Sequence, residues 1–455
     1  MSFNVESLAA QLASLRSGDK LVVALSGGLD SSVLLHALCS LQFDNGAGFS
    51  LRAIHVNHGL SANATIWQGF CQRLCDVSGV ALHVAQVQVN GGGASNLESE
   101  ARKCRYEVFE RELGTDECLV MGHHLDDQAE TFLLRSLRGS GPRGLAAIPL
   151  HRPIGRGRLI RPLLRFSRLD LLVYAQAHNI EWVDDESNEN LQFDRNFCRH
   201  QILPVLASRW PAYRESWARS ALLCAEADAL LDDLAALDYQ RIQGKVGTVL
   251  SLKLLHGLNE PRQRNVLRYW LQQAGAPDPG WNVLNGIVSE LIPAAPGSQP
   301  EIRWSEAGLE VVLRRYRGNL YLQKVIQKKL ESDFLPEEVL AWSPQEVLHL
   351  PANGCLYALA VEGQGLRLRE GETLSLRYRQ GGEVCRLEGR RMRPLKKILQ
   401  DAGIEPWLRD RLPLVYIADE LVCIPGLGVC AGRGAGSAES GWQLVWIPPD
   451  NSPRI

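Results

Sequence analysis

No Cys-x-x-Cys occurs in this chain of 455 residues, and its eleven cysteines are scattered; the tightest pair, Cys71 and Cys75, is separated by three residues. That spacing argues against a disulfide framework, a structural zinc site or an iron–sulfur cluster, and predicts reduced thiols, many of them buried. Long apolar runs are missing too, none approaching the roughly 20 residues that a membrane-spanning helix needs. The opening stretch MSFNVESLAAQLASLRSGDK has no basic region leading into an apolar core, so a cytoplasmic protein with no membrane partner is expected. Charge of one sign is not in excess either, 49 Lys and Arg standing against 51 Asp and Glu. Nor is there a Walker loop. The only Gly-Lys, Gly244-Lys245, lacks both the earlier glycine and the following Ser or Thr.

The near-neutral total conceals an uneven distribution. Between Arg135 and Arg168 there are nine arginines and no acidic residue, and from Arg377 to Arg411 ten Lys and Arg face five Asp and Glu, clustered around GRRMRPLKK. Two basic segments far apart suggest two places where a long polyanion could touch. Arginine dominates the first, which favours bidentate phosphate contacts. The competing reading is two solvated faces neutralised by acids from elsewhere.

A chain of this length exceeds one ordinary core, so two or three domains are expected. In the first half, KLVVAL, SLRAIHV, VALHVAQVQV and ECLVMG alternate with helical patterns such as TIWQGFCQRLCDVSG and LESEARKCRYEVFEREL. Such alternation predicts an α/β fold, a doubly wound parallel sheet with crossover helices and ligands at the carboxyl ends of its strands. From about residue 210 the pattern turns helical, and EIRWSEAGLEVVLRRYRGNLYL then alternates like a hairpin. The Pro- and Glu-rich ESDFLPEEVLAWSPQE reads as a linker, followed by short strands around one helix, RPLKKILQDAGI. The expected division is a catalytic α/β domain at 1–215, a mainly helical middle domain at 216–330, a linker at 331–360 and a small, basic α+β domain at 361–455.

The stretch VALSGGLDSSVLLHAL, residues 23 to 38, carries the strongest chemical signal. A buried strand, a glycine loop and a helix start bring backbone N–H groups together at a helix N-terminus, two of them on glycines with no Cβ in the way. The hydroxyls of Ser26, Ser31 and Ser32 add to this anion cradle. The loop is not Gly-x-Gly-x-x-Gly, so dinucleotide binding loses its fingerprint. Asp30 inside it would repel phosphate unless a metal intervened, which marks it as a magnesium ligand rather than a plain helix cap. This loop resembles the Ser-Gly-Gly-x-Asp-Ser signature of the PP-loop ATP pyrophosphatases, which cleave ATP between the α- and β-phosphates and adenylate an oxygen of their substrate.

In GHHLDDQAET, residues 122 to 131, His123, His124, Asp126 and Asp127 sit on a strand-to-helix turn. A second carboxylate near Asp30 suits a magnesium shared with ATP oxygens, and an imidazole suits charge developing at the α-phosphate. His-x-x-Asp could ligate zinc, but no third ligand of the usual spacing accompanies it. Further on, DDESNENLQFDRNFCRHQILP sets Arg195, Asn196 and Arg199 at a helix start, aimed at an anion.

Taken in order, SGGLDSSVLLH, HVNHGLS, LESEARKCRY, GHHLDDQAET, LRGSGPRGL, RPLL and DESN with RNFCRH resemble the tRNA(Ile)-lysidine synthetases within the PP-loop family. The resemblance is close over residues 20–206, looser through the middle, and returns in YRQGGEVCRLEGRRMRPLKKILQDAGIEPWLRDRLPLVY, which is similar to that family's C-terminal tRNA-binding domain. It implies that ATP adenylates the wobble cytidine of an isoleucine tRNA with a CAU anticodon, after which L-lysine displaces AMP. It also implies ATP and magnesium on Ser26, Gly27, Gly28, Leu29, Asp30, Ser31 and Ser32, with His55 beside them and Asp127 sharing the metal. Catalytic roles would fall to Asp30, His123, Asp126, Asp127, Arg105 and Arg195. Contacts to tRNA would fall to Arg138, Arg143, Arg199, Arg390, Arg391, Arg393, Lys396 and Lys397. Spacing alone does not separate Arg102 from Arg105, nor a chemical from a shaping role for His55 and His58. The middle and C-terminal domains would hold the tRNA, and a homodimer is compatible with this layout. Rival readings are a PP-loop tRNA thiolase, disfavoured by the missing Cys-x-x-Cys, a small-molecule adenylating synthetase, and a tRNA binder with a vestigial ATP site. In VNGGGASN, Gly91 to Gly93 are expected to form an exposed turn.

Overall fold

The four apolar runs of the first half form four adjacent strands of one sheet. The computed structural model describes residues 2–448 apart from 14, 16–17, 45–47, 60, 62, 89–93, 245–246, 296, 299, 307, 327–338 and 352. The turn expected at Gly91 to Gly93 lies outside the described residues. The chain parts into two compact units, Met1–Leu230 and Leu231–Ile455.

The first unit runs α1 (Val5–Gln11), β1 (Lys20–Ala24), α2 (Leu29–Asp44), β2 (Ser50–Asn57), α3 (Ala64–Ser78), β3 (Ala81–Gln86), α4 (Ala94–Glu112), β4 (Glu117–Val120) and α5 (Leu125–Leu137). There follow α6 (Pro142–Leu145), β5 (His151–Ile154), β6 (Gly157–Ile160), α7 (Arg168–Ala177), α8 (Asp194–Phe197), a π-helical turn Cys198–Ile202, α9 (Leu203–Arg209) and the start of α10 (Tyr213–Ile242). The sheet order is β3-β2-β1-β4-β6-β5, with β5 antiparallel to β6 and every other neighbour parallel. β1 alternates as a strand covered on both faces must. Leu21 and Val23 face a core built with α1, α2, α3 and α7, including Leu8, Leu34, Leu38, Cys75 and Tyr174. Val22 faces the opposite core, with Ile54, Leu119 and Val108, Phe109 and Leu113 of α4. Each such fully buried side chain contributes about 1.5–3 kcal/mol, enough to hold a strained loop at the strand ends. The order reverses between β1 and β4, the crevice where ligands bind on such sheets.

In the second unit, β7 (Val249–Ser251), β8 (Glu301–Glu306), β9 (Leu309–Tyr316) and β10 (Asn319–Ile326) make an antiparallel sheet in the order β7-β10-β9-β8. It packs on helices Glu260–Gln273 and Gly280–Gly286 through Val266, Trp270, Leu284, Val311 and Leu320. The expected hairpin is present and extended by a strand; β9 turns into β10 through Arg317 and Gly318, both with positive φ, the two-residue turn whose twist suits paired strands.

Residues 340–360, read as part of a linker, fold instead. Leu340–Trp342, Leu348–His349 and Cys355–Glu362 are strands, the last paired along its whole length with Ser440–Ile447. Their buried Trp342, Leu350 and Leu356 belong to the core of the C-terminal part. These apolar residues are too irregularly spaced to show a period, and the strands exist because distant partners complete them. The helix RPLKKILQDAGI appears as Leu395–Asp401. The expected boundary at 215 and 216 falls inside α10, which runs through it unbroken. All eleven cysteines are free and eight are buried, as expected of reduced thiols. Among the described residues no helix is long and apolar enough to cross a membrane.

Candidate active site

β1 ends in the glycine loop, and α2 starts from it. The hydroxyls of Ser26 and Ser31 lie 3.1 Å apart; that of Ser31 donates to the Gly28 carbonyl (3.0 Å), and that of Ser32 to the Gly27 carbonyl (3.3 Å). Gly27 has φ +87°, and a Cβ there would stand 3.1 Å from both Cys71 Sγ and Val183 Cγ2. Gly27→Ala is therefore expected to cost about 1–2 kcal/mol for the left-handed backbone alone, before any repacking, read as a lower urea midpoint. Leu29 is buried in the core, so only its backbone can serve a ligand. Gly122, at the end of β4, allows close approach, since a Cβ there would stand 3.1 Å from the Asp30 carbonyl carbon and oxygen.

His124 caps α5 and is 1% exposed. Its Nε2 lies 3.5 Å from Asp30 Oδ2 and 3.6 Å from Asp127 Oδ2, and its Nδ1 3.6 Å from Asp126 Oδ2. Burial opposes its charge more than any other single influence, but Asp127, Asp126 and Asp30 together outweigh burial and hold the imidazole up at about 10. The ring is an imidazolium among three carboxylates. Burial would raise Asp126 and Asp127, yet both lie well below the usual carboxylate range, Asp126 through His124, the Arg168 N–H and Arg214, and Asp127 through His124 and Arg195. His123 is the opposite case: burial, helped by Arg161, Arg195 and Arg102, presses it to about 3 against the pull of Asp127, and it stays neutral.

The carboxylates are not equally available to a metal. Asp127 Oδ1 accepts from Arg195 Nη2 (2.7 Å) and Oδ2 accepts the His124 N–H (3.0 Å). Asp30 Oδ1 is buried with no hydrogen-bond partner. Of the pair expected to share magnesium, Asp30 keeps one oxygen without any hydrogen bond, whereas each oxygen of Asp127 already accepts one. Among the described residues no three His, Cys, Asp or Glu side chains form a cage.

Arg195 and Arg199 do not point at an open anion site. Arg195 spans Asp127 and Glu130 Oε2 (2.7 Å), and Arg199 forks onto Glu130 at 2.6 and 3.0 Å. Arg199, expected among the tRNA contacts, is thus committed to a carboxylate only 1% exposed. Arg214 donates to Asp126, whose other oxygen accepts the Arg168 N–H at 2.8 Å. Beside this network opens a cavity of about 770 Å³ lined by six carboxylates, Asp126, Glu130, Asp184, Asp185, Glu186 and Glu189, together with Arg168, Arg199, His200 and Arg214.

Comparison with known proteins agrees with this layout along the chain. A PP-loop domain family matches residues 1–206, the TilS substrate binding domain matches 250–321 and the TilS substrate C-terminal domain matches 374–446. A tRNA(Ile)-lysidine synthase of Coxiella burnetii is 38% identical over 98% of this chain and 97% of its own. Those of Methylococcus capsulatus (40%, over 97% and 99%) and Escherichia coli O157:H7 (39%, over 95% and 97%) match as fully. The chain belongs to the tRNA(Ile)-lysidine synthases.

As a lysidine synthase it is an enzyme, a ligase acting in tRNA modification, and its PP-loop domain implies ATP use. Arg105 Nε donates to His58 Nε2 (3.3 Å), whereas Arg102 lies over the Tyr106 ring, so the two arginines that spacing could not separate face different neighbours. His58 is held down at about 4 by burial, Arg105 and His55. His55 Nδ1 donates to the Leu25 carbonyl (2.9 Å), tying the end of β2 to the glycine loop. Of the basic positions expected to meet tRNA, Arg138 pairs with Asp194 (3.5 Å), Arg143 with Asp228 (3.0 Å) and Arg393 with Asp401 (2.7 Å). Arg390, Arg391, Lys396 and Lys397 are exposed around the helix Leu395–Asp401. Sequence reasoning missed Gly122, Glu130, Arg168 and Arg214. Glu130 had a signal, lying three residues past Asp127 on one face of α5. Arg214, 88 residues from Asp126, had none.

Proposed function

We propose that this lysidine synthase uses ATP to join L-lysine to the wobble cytidine of the isoleucine tRNA with a CAU anticodon, in the cytoplasm. The N–H groups and hydroxyls at the start of α2 would receive the ATP phosphates. Magnesium, held through Asp30, would offset phosphate charge as a Lewis acid. The cytidine 2-oxo group attacks the α-phosphorus and pyrophosphate leaves, so that a poor leaving group becomes a good one. The lysine amine then attacks C2 of the cytidine, the C2–O bond breaks so that AMP departs with the oxygen, and the amine loses a proton. The product, lysidine, would switch codon reading and aminoacylation from methionine to isoleucine.

The observation that carries this reading is the chain of close approaches Asp30–His124–Asp126, which joins the anion cradle to the acid- and arginine-lined cavity. A zwitterion with an extra ammonium group calls for that mixture, carboxylates for its ammonium groups and a guanidinium for its carboxylate. Asp126 and Asp127, held so far below neutrality, are poor proton acceptors, which suits holding a cation rather than removing a proton.

Radiolabelled lysine should enter the CAU isoleucine tRNA in the presence of ATP and magnesium, should not enter elongator methionine tRNA, and should vanish without ATP. Pyrophosphate release on another acceptor, with no lysine on tRNA, would return the thiolase and small-molecule readings.

A further inference from the structure

The arginines around the network above are largely neutralised by acids; in another group no described acid pairs with the guanidiniums. Tyr106 of α4 has the guanidinium carbons of Arg102 and Arg152 at 5.2 and 4.6 Å from its ring centroid, and Arg161 Nη2 donates to its hydroxyl at 3.5 Å. Arg161, the first residue after β6, is 3% exposed. Its Nη1 donates to the Pro149 carbonyl (2.6 Å), while its Nε, like that of Arg152, is buried with no partner. Among the described residues no salt bridge reaches Arg102, Arg152 or Arg161. Arg152 and Arg102 both push against the charge of Arg161, and Arg102 and Arg138 against that of Arg135 of α5. Three guanidiniums gathered on one ring repel each other, and a ring quadrupole returns only about 0.5–2 kcal/mol per cation. Among the described residues the cluster has no counter-anion.

We infer that Arg102, Arg152 and Arg161 form a preformed subsite for one RNA phosphodiester of the bound tRNA; this rests on the proposed function. The ring and the Pro149 carbonyl fix the forks in advance, so little side-chain entropy is lost on binding. Exposed Arg102 gives access from solvent, and buried Arg161 supplies depth. Arg161 directly follows Ile160 of β6, whose carbonyl accepts the Met121 N–H (3.1 Å) just before the Gly122 that abuts Asp30, so a phosphate held there positions the strand near the reacting base without reading it. The glycine loop already offers ATP its own cradle, which leaves these arginines for the second polyanion.

The test uses the full chain with Arg102→Gln, Arg152→Gln and the double variant, and measures tRNA binding over a range of salt. Each variant should weaken binding about tenfold, and the slope of log affinity against log salt should become shallower by about 0.7 for each phosphate no longer neutralised. Arg102→Lys should restore the slope but only part of the affinity, because an ammonium binds as a point charge where a guanidinium forks, an asymmetry that a merely structural role would not produce. An unchanged salt slope overturns the inference. So does weaker inhibition by inorganic pyrophosphate with tRNA binding intact, since the cluster would then hold the leaving group. The binding readout needs no turnover. Failure of lysine incorporation with the slope shift present would therefore overturn the proposed reaction and leave the RNA-phosphate subsite standing.

Discussion

Glu130→Ala should lower the unfolding free energy by about 3–5 kcal/mol and abolish lysine incorporation, because it leaves Asp127 alone to balance two guanidiniums. Glu130 is 1% exposed and accepts three hydrogen bonds of 2.6–3.0 Å from Arg195 and Arg199. After its removal Asp127 is left to balance both arginines while already serving His124. The cost comes less from three missing bonds than from leaving two part-buried guanidiniums short of negative charge. Glu130→Gln keeps the shape and loses the charge, so an intermediate loss is expected. Urea unfolding monitored beside incorporation separates the effects. A stability change under about 1 kcal/mol for the Ala variant would mean that water reaches these guanidiniums, and would remove the ground for treating the network as a rigid wall of the cavity.

Asp30→Ala should reduce pyrophosphate release with the CAU tRNA by about 10²–10³-fold while the fold persists. Its Oδ1 is the one Asp30 oxygen buried without a partner and its Oδ2 faces His124, so the side chain offers both an open ligand position and a link to the α5 carboxylates. Asp30→Asn discriminates the two roles this residue type can play at a helix start. Asparagine caps helices as well as aspartate does, so near-normal release by the Asn variant would make Asp30 a cap. If Asn is as damaging as Ala, the negative charge is what the reaction requires. The Asp30→Ala loss should also exceed any loss from Ser26→Ala, because a loop rich in N–H groups tolerates one missing hydroxyl better than a missing charge.

The strands and the glycine loop were legible because their signals are local. KLVVAL is a strand buried on both faces, and Ser-Gly-Gly before an apolar helix is an anion cradle whatever follows it. His123, His124, Asp126 and Asp127 were legible as a group for the same reason, lying within five positions at a strand-to-helix turn. Their individual states were not. His123 and His124 are adjacent in the chain, yet one is pressed to about 3 and the other held near 10, because only the second is ringed by Asp30, Asp126 and Asp127. Residues 340–360 misled in the other direction. Proline and glutamate nearby suggest a linker, but Cys355–Glu362 becomes a strand through pairing with Ser440–Ile447, far along the chain.

Local pattern was enough for what depends on neighbours within a turn or two: strand periodicity, the backbone freedom of Gly27, the helix start at α2 and the ordered motifs of the PP-loop chemistry. Only the folded chain decided which charges cancel. Arg195 and Arg199 meet Glu130 across 65 and 69 residues, whereas Arg102, Arg152 and Arg161 gather on Tyr106 with no described carboxylate among them. In sequence nothing distinguishes the paired arginines from the others. Coulomb energy depends on separation in space and on the local dielectric, and neither is written in the order of residues.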